Sequence, residues 1–156
     1  MANVFTDFAT LQGTAVNDIS TAPNLKAYGG ELKVLQVSKT AYTAATADPL
    51  YLIRLPKGAK LIPSLCSVDY GTPGSACTGK VGHIYDDGTG DDDAYGSALA
   101  LGNAAGRKLL SEAGTKGVAF TDPVTFADDA WIYVTWTTVT SGASHTQTWH
   151  IAYTLG

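Results

Sequence analysis

Residues 130–155 read AWIYVTWTTVTSGASHTQTWHIAYTL, in which two runs rich in β-branched and aromatic residues flank a short polar segment. Residues of these types favour strands because their side chains pack well on a pleated surface. We therefore predict strands at Ala130–Thr140 and His145–Leu155. The intervening Ser141–Ser144 contains a glycine, which predicts that the two strands form a hairpin.

The second of these predicted strands alternates in polarity. Its odd-numbered positions from Trp149 to Leu155 are all apolar or aromatic, whereas the even-numbered positions are His150, Ala152 and Thr154. A period of two is typical of an antiparallel strand with one buried face. One face of this strand should therefore meet a hydrophobic core.

Upstream, short strand-like runs are separated by turn residues. The segments 56–59 and 71–74 each combine a proline, which fixes φ, with a glycine, which permits a turn. In Glu31–Lys39, Leu32 and Val34 are out of step with the later apolar positions, which predicts a strand with a bulge or with two buried faces. The remaining predicted strands are Asp48–Leu55, Lys60–Ile62 continuing through Leu65–Tyr70, Lys80–Tyr85, Val118–Phe120 and Pro123–Phe126.

Helix is scarce in this pattern. An Asp side chain accepts hydrogen bonds from the first turn of a helix, so Asp93 predicts a short helix through Leu101, and Arg107–Ala113 predicts one further turn. The chain is therefore predicted to be all-β, an antiparallel β-sandwich of the jelly-roll kind with short helical insertions.

The first thirty residues differ from the rest. Phe5, Phe8, Leu11 and Val16 are isolated apolar residues among polar ones, and no sustained period connects them. We interpret residues 1–29 as an extended N-terminal arm and residues 30–156 as the β-sandwich domain. The four apolar residues are candidate interface residues, which fold either against their own domain or against a neighbouring subunit.

Composition excludes several classes of function. The 156 residues carry 10 Lys and Arg against 14 Asp and Glu, a net charge of −4, and no basic run is longer than the pair Arg107–Lys108. Nucleic-acid binding needs clustered cations, so we do not expect it. The sequence has neither a long apolar segment nor the features of a signal peptide, so we expect no membrane partner and no export signal.

No catalytic motif is present. His83, His145 and His150 are scattered, and neither a nucleophile elbow nor a phosphate-binding loop occurs, so we expect neither enzymatic activity nor a cofactor. Cys66 and Cys77 are too few for a disulfide scaffold, and we expect thiols, the alternative being a bridge across a hairpin.

The densest polar feature is the acidic stretch Asp86–Asp93, which has five Asp in eight residues. Carboxylates on a tight loop suit Ca²⁺, which makes Asp86, Asp91 and Asp93 candidate metal ligands. The spacing does not match an EF-hand, and we favour a solvated acidic turn whose last Asp caps a helix. A third interpretation places the stretch on the symmetry axis of an oligomer, where a cation would offset the clustered charge.

Aromatic residues concentrate near the C-terminus and admit two interpretations. Rings on the surface of a β-sandwich can stack on sugars, whereas rings on an inner face belong to the core. Core packing accounts for most of the set, which consists of Trp131, Tyr133, Trp136, Trp149 and Tyr153.

Several segments follow one another in a particular order: a strand ending in Leu-Pro-x-Gly-Ala-x-Leu, an Asp-x-Gly-Thr turn, and an acidic stretch running into Asp-Ala-aromatic-x-Ser-Ala. The segments concerned are 48–61, 68–72, 84–88, 91–98 and 134–153. In this order they resemble a family of tailed-phage virion proteins, the small capsid decoration or cement proteins. The resemblance covers about residues 30–156.

The resemblance implies a virion structural protein that binds the outside of the capsid and bridges subunits of the major capsid protein. It implies a homotrimer located on the capsid surface, synthesised in the cytoplasm of the host bacterium, and it supplies no catalytic residues. The alternatives are a head-fibre or tail component and a carbohydrate-binding β-sandwich module.

Overall fold

In the computed structural model, two β-sheets enclose a hydrophobic core to which both contribute. The structure describes residues 4–5, 32–43, 47–72, 77–102, 104–112, 124–139 and 144–155. Its strands are β1 Val4–Phe5, β2 Leu32–Tyr42, β3 Pro49–Leu55, β4 Lys60–Leu61, β5 Ser67–Tyr70, β6 Cys77–Tyr85, β7 Gly90–Leu101, β8 Gly106–Leu109, β9 Val124–Thr125, β10 Ala130–Val139 and β11 His145–Thr154. The predicted all-β sandwich is confirmed.

The first sheet has the strand order β1-β3-β10-β6-β7, in which all neighbours are antiparallel except β1 and β3. In the second sheet β11 is central. One side of β11 pairs with β2, and its other side pairs with β5 and β4, which in turn pair with β8 and β9. Every pair in the second sheet is antiparallel.

The predicted hairpin between the last two strands is wrong. β10 pairs with β3 and β6 in the first sheet, whereas β11 pairs with β2 and β5 in the second. Each strand therefore has a neighbour on both sides and lies in the interior of its own sheet. Composition identified both strands and alternation supported the second, but neither carries information about which partners a strand selects.

The inner faces of β10 and β11 supply the largest core residues. Trp136 and Trp149 are both fully buried. Gly79 lies opposite Trp136, and a Cβ on this glycine would come within 2.7 Å of the indole atom Cε3. The glycine therefore makes room for the ring. The predicted alternation of β11 is confirmed, because Trp149, Ile151 and Leu155 are buried.

The predicted helix from Asp93 to Leu101 is wrong, because these residues belong to β7. Tyr95, Leu99 and Leu101 are buried, and the later part of β7 pairs with the start of β6. A long-range ladder supplies the hydrogen bonds that a helix would have made locally, and it overrides the capping signal of a single Asp. Asp93 itself is a nearly buried strand residue.

The second predicted helical segment is also partly a strand. Within the predicted helical turn Arg107–Ala113, residues up to Leu109 form β8, which pairs with β5, and Leu110–Glu112 form a 3-10 helix. Pro63–Leu65 form another 3-10 helix before β5, with a proline in its first turn. Among the described residues no helix is long and apolar enough to span a membrane.

Some predictions lie outside the described residues. They include the strand Val118–Phe120 and most of the arm, of which the structure describes only β1. The backbone of β1 pairs in parallel with β3, so that Phe5 lies opposite Tyr51. The division of the chain at residues 29 and 30 stays a prediction.

Candidate functional site

The acidic stretch begins as a tight turn between β6 and β7. The amide of Tyr85 donates to the carbonyl of Thr89, and Gly88 adopts a φ of 84° that favours glycine. The Thr89 hydroxyl and amide both donate to Asp87 Oδ1, at 2.6 and 2.8 Å, and these bonds lower the pKa of Asp87, the hydroxyl contributing most. Asp87 therefore stabilises the turn.

Beyond the turn, β7 bulges away from β6. Val81 pairs with Gly96 whereas His83 pairs with Asp91, so the intervening residues of β7 loop out of the ladder. Gly82 is needed at this crossing, because a Cβ there would collide with the carbonyl oxygen of Asp91. A Cβ on Gly90 would likewise collide with the carbonyl oxygen of His83. The bulge thus depends on two close backbone contacts that only glycine permits.

A ring cluster lies beneath the bulge. Tyr95 is fully buried, and its hydroxyl lies 2.9 Å from His83 Nδ1. The rings of Tyr85 and Phe126 contact His83 edge-on, with centroids 5.0 and 5.5 Å away. Burial lowers the pKa of His83, although the nearby Asp91 carboxylate opposes this effect. Burial raises the pKa of Tyr95, so the two rings form a neutral support for the acidic strand.

Ion pairs bind the acidic segments to their neighbours. Arg54 on β3 contacts the carboxylate of Asp86, and it lies 3.2 Å from that of Asp129. Lys80 on β6 lies 3.0 Å from Asp92. Two of the Asp residues in the stretch are thus paired with cations from adjacent strands, which reduces the net charge of this surface.

The candidate metal ligands are only partly brought together. The carboxylates of Asp91 and Asp93 group with that of Asp92, and these atoms all lie within 4.8 Å of one another. Asp86 is instead held by Arg54. Within the group the amide of Asp93 donates to Asp91 Oδ1 at 3.2 Å. Cation binding by this group stays a prediction.

The aromatic residues divide between core and surface. Trp136 and Trp149 are fully buried, so stacking on sugars is wrong for these two. Trp131 and Tyr133 lie half-buried on the outer face of the first sheet, where both rings contact Tyr51 with centroids 5.8 and 5.7 Å away. Burial raises the pKa of Tyr133 to about 12, and nearby carboxylates, Asp92 first among them, raise it as well. Sequence reasoning missed Tyr51.

A shallow groove adjoins this outer aromatic cluster, which we define as Tyr51, Trp131 and Tyr133. The groove has a volume of about 270 Å³. Its lining combines half-buried rings, backbone and carboxylates: His83, Ile84, Gly88, Gly90, Asp91, Asp92 and Tyr133. A polar ring-shaped ligand would find both an apolar surface and hydrogen-bond acceptors at this position.

The outer face of the second sheet has a different character. Leu32 and Val34 on β2 are 49% and 60% exposed. Leu109 on β8 pairs with Ser67, which pairs with His150 on β11. His150 lies on the face of the sheet opposite Trp149, so Leu109 is on the outer face, where it is also exposed. The fourth exposed large apolar residue of the described chain is Leu65, just before β5. Leu32 and Val34 are out of step with the later apolar positions of β2 because they form an exposed apolar face. The bulge of this strand lies farther on, near Ala41.

A polar network crosses the same face. Asp69 on β5 receives two hydrogen bonds from the guanidinium of Arg107, at 2.5 and 2.6 Å, and lies 3.0 Å from His150 Nε2. The Arg107 hydrogen bonds are the main cause that lowers the pKa of Asp69 to about 2. Sequence reasoning missed this network, because strand pairing alone brings three distant residues together.

The two cysteines are thiols that no disulfide joins, as predicted. Cys66 is buried, accepts a hydrogen bond from the amide of Ala152 at 3.3 Å, and has a pKa that burial raises to about 11. Of the candidate interface residues, Phe5 lies in β1, and Phe8, Leu11 and Val16 lie outside the described residues. Their role stays a prediction.

Comparison with solved structures finds a similar fold in a chain of the cyanophage Pam1 capsid asymmetric unit. The TM-score is 0.53 and the sequence identity 17%, and the likeness covers 90% of this chain and 96% of that one. No protein-family model and no curated protein matches the sequence. At this identity the likeness is one of fold.

Proposed function

We propose that the protein is a virion structural protein that binds the outside of a phage capsid and bridges neighbouring subunits of the major capsid protein. The observation that carries this proposal is the likeness to a chain of the cyanophage Pam1 capsid asymmetric unit, which extends over nearly the whole of both chains. A fold shared from end to end supports a role in the same kind of assembly.

The physical role is mechanical. DNA packed inside a capsid presses its shell outward, and a protein that bridges two subunits adds buried area that must be exposed before the shell opens. A contact of standard size buries roughly 1,600 Å², and many symmetric copies multiply its effect. The exposed apolar residues on the outer face of the second sheet, Leu32, Val34, Leu65 and Leu109, are suited to such a contact.

The assembly follows from the same proposal. A homotrimer fits the local three-fold symmetry of a capsid, and the arm with Phe5, Phe8, Leu11 and Val16 extends the contact to a neighbouring subunit. The role requires neither catalysis nor a cofactor, and neither nucleic acid nor a membrane as partner. The protein is then made in the cytoplasm of the host bacterium and located on the surface of the virion.

The decisive experiment mixes the purified protein with DNA-free shells of the major capsid protein of the same phage. We expect co-sedimentation with the shells and a rise in the temperature at which they rupture. Deletion of residues 1–29 should abolish both effects while the melting transition of the domain persists. Shells that neither bind the protein nor gain thermal resistance would contradict the proposal, and a fully active deletion would contradict the role of the arm.

The oligomer is tested separately by light scattering coupled to size exclusion. A mass of three 16.2 kDa chains is expected. Repeating the measurement with a chelator tests cation binding by Asp91, Asp92 and Asp93, because loss of a bound cation would restore repulsion among their carboxylates. A monomeric mass would contradict the trimer. It would not bear on capsid binding, which the sedimentation experiment tests.

A second candidate function is glycan binding at the outer aromatic cluster. It is favoured by the contact of Tyr51, Trp131 and Tyr133 beside a groove with carboxylates, because sugars stack on rings and donate hydrogen bonds to such acceptors. A glycan array tests it, with Trp131→Ala as the variant and Thr137→Ala, an exposed position on the same strand, as the control. Binding that the variant alone loses would support this function, and an array without signal would contradict it.

A further inference from the structure

The tight turn between β6 and β7 contains a chemically labile peptide bond. Of all the aspartates and asparagines in the sequence, only Asp87 is followed by glycine. Glycine has no Cβ, so no side chain shields its amide nitrogen from the carboxyl group of the preceding residue. That nitrogen can attack the carboxyl carbon, which rearranges the main chain without an enzyme. Asp87–Gly88 is therefore the position at which this chain is most susceptible to such a rearrangement.

The rearrangement has two steps. In the first, the amide nitrogen of Gly88 bonds to Cγ of the neutral Asp87 carboxyl, the C–OH bond breaks, and the hydroxyl leaves with the amide proton as water. In the second, water opens the succinimide ring that has formed. Opening at the carbonyl next to Cα leaves an isoaspartyl linkage, in which the main chain runs through the former side chain and is one atom longer.

The attacking amide is engaged in the hydrogen bonds of the turn. The amide of Gly88 donates to the carbonyl of Tyr85 at 3.0 Å. The amide of Tyr85 donates to the carbonyl of Thr89 at 2.7 Å, which closes the same turn. Ring closure removes the proton from the Gly88 nitrogen, so the bond to Tyr85 must break before the nitrogen can react. The folded turn therefore restrains the nucleophile.

The carboxyl group is restrained as well. Oδ1 of Asp87 accepts hydrogen bonds from the hydroxyl and the amide of Thr89, at 2.6 and 2.8 Å. Both donors stabilise the ionised carboxylate and lower the pKa of Asp87, the hydroxyl contributing most. Ring closure needs the neutral acid, because a carboxylate has no hydroxyl to release. The two bonds from Thr89 therefore reduce the population of the reactive form.

We propose that Asp87–Gly88 is a modification site that the fold keeps closed, with Thr89 as the protecting residue, and that it becomes isoaspartyl only in chains whose turn has opened. The longer main chain cannot restore the hydrogen bond from Gly88 to Tyr85, so a transient opening becomes permanent. The inference concerns the chain's own chemistry and does not depend on the proposed capsid function.

The first test compares the folded and unfolded wild-type protein. Both are incubated at neutral pH, one in buffer and one in guanidinium chloride, and the tryptic peptide 81–107 is fragmented to locate isoaspartate. Isoaspartate at residue 87 should form at least about ten-fold more slowly in the folded protein, because the turn must open first. Asp91, Asp92 and Asp93 are internal controls, since none precedes a glycine. Equal rates would overturn the protection, and an unfolded chain that forms no isoaspartate at residue 87 would overturn the site.

The second test isolates the hydroxyl of Thr89, which is an exposed residue. Thr89→Val removes the hydroxyl and keeps the shape and the backbone amide, whereas Thr89→Ser keeps the hydroxyl and is the matched control. Folded Thr89→Val should form isoaspartate about five-fold faster than the wild type, the effect of one lost hydrogen bond, and folded Thr89→Ser at the wild-type rate.

Melting curves show that each variant is folded, and all three proteins should react equally fast in guanidinium chloride. A difference that persists in the unfolded chains would assign the effect to local sequence and overturn the role of Thr89. A folded Thr89→Val protein that reacts no faster than the wild type would overturn it as well.

Discussion

Among the described residues, β2 and β7 are the two long strands that lie at the edge of a sheet, and they differ in regularity and in charge. β7 begins with three consecutive Asp after Gly90, and it departs from its partner in two register shifts. β2 runs in unbroken register from Leu32 to Lys39 and exposes apolar residues on its outer face. Bulges and charges disfavour the addition of a further strand, so β7 is protected in a way that β2 is not.

The two strands also differ in what holds them in place. β7 depends on backbone contact at Gly82 and Gly90 and on the buried ring of Tyr95. β2 has only β11 as a strand neighbour among the described residues. Substitutions near β7 should therefore change stability, whereas substitutions on the outer face of β2 should change association.

The largest expected effect concerns the close contact beneath β7. Gly82→Ala places a methyl group against the backbone of Asp91 and Asp92, so the strands must separate, at a cost of about 3 kcal/mol in the free energy of unfolding. Gly88→Ala is the control, because its surroundings are open and only its positive φ opposes a side chain, which costs about 1 kcal/mol. Urea unfolding measures both, and equal losses would show that the bulge does not depend on the contact.

A smaller effect is expected at the ion pairs beside the acidic turn. Arg54→Met leaves Asp86 and Asp129 without their shared cation. It should lower the free energy of unfolding by only about 1 kcal/mol, because both carboxylates are well exposed. Lys80→Met removes the more exposed pair with Asp92 and should cost about 0.5 kcal/mol. Both losses should shrink in high salt, and losses that persist there would point to packing instead of charge.

The polar network on the second sheet predicts a dependence on pH. Asp69 has a pKa of about 2 in the folded protein against 3.8 ordinarily, so its contribution to stability is present above pH about 4 and is lost as the pH falls to about 2. The variant Asp69→Asn should therefore lose less than about 1 kcal/mol of the free energy of unfolding at pH 7, because the Asp69 carboxylate is partly exposed. Acid unfolding curves of the two proteins should converge near pH 2, and a constant difference would assign the effect to something other than titration.

The smallest effect on stability is expected on the outer face of β2. The double variant Leu32→Thr/Val34→Thr should change the free energy of unfolding by less than about 0.5 kcal/mol, because the two residues are already 49% and 60% exposed. It should nevertheless weaken binding to the shells. A large loss of stability would show that this face belongs to the core of the fold, contrary to the comparison.

Much of the strand content was predictable, because the signal is local. The alternation from Trp149 to Leu155 depends only on neighbouring positions, and the structure buries the predicted face. Turn residues likewise placed the break after Leu55, where Gly58 adopts a φ of 81°. Helical capping by Asp93 failed, since a cap contributes about 1 kcal/mol and a ladder with β6 contributes more.

The candidate site was less predictable, because its groups are distant in sequence. Composition identified Asp86 and Asp91 as candidate ligands together, but the structure places them apart. Asp86 pairs with Arg54, whereas Asp91 lies at the bulge of β7. The mismatch of Leu32 with the later apolar positions of β2 was visible in the sequence. Its meaning, an exposed apolar face, depends on how β2 pairs with β11.

The sequence by itself determined that the chain is all-β, that residues 130–139 and 145–154 are strands, and which face of the last strand is buried. These properties follow from the period of two and from side-chain shape, and both act between near neighbours. Only the tertiary structure decided that the two strands enter different sheets, that β7 bulges, and that Leu32 and Val34 of β2 are exposed. Pairing joins residues far apart in the chain, and close contacts such as that at Gly82 exist only once both strands are in place.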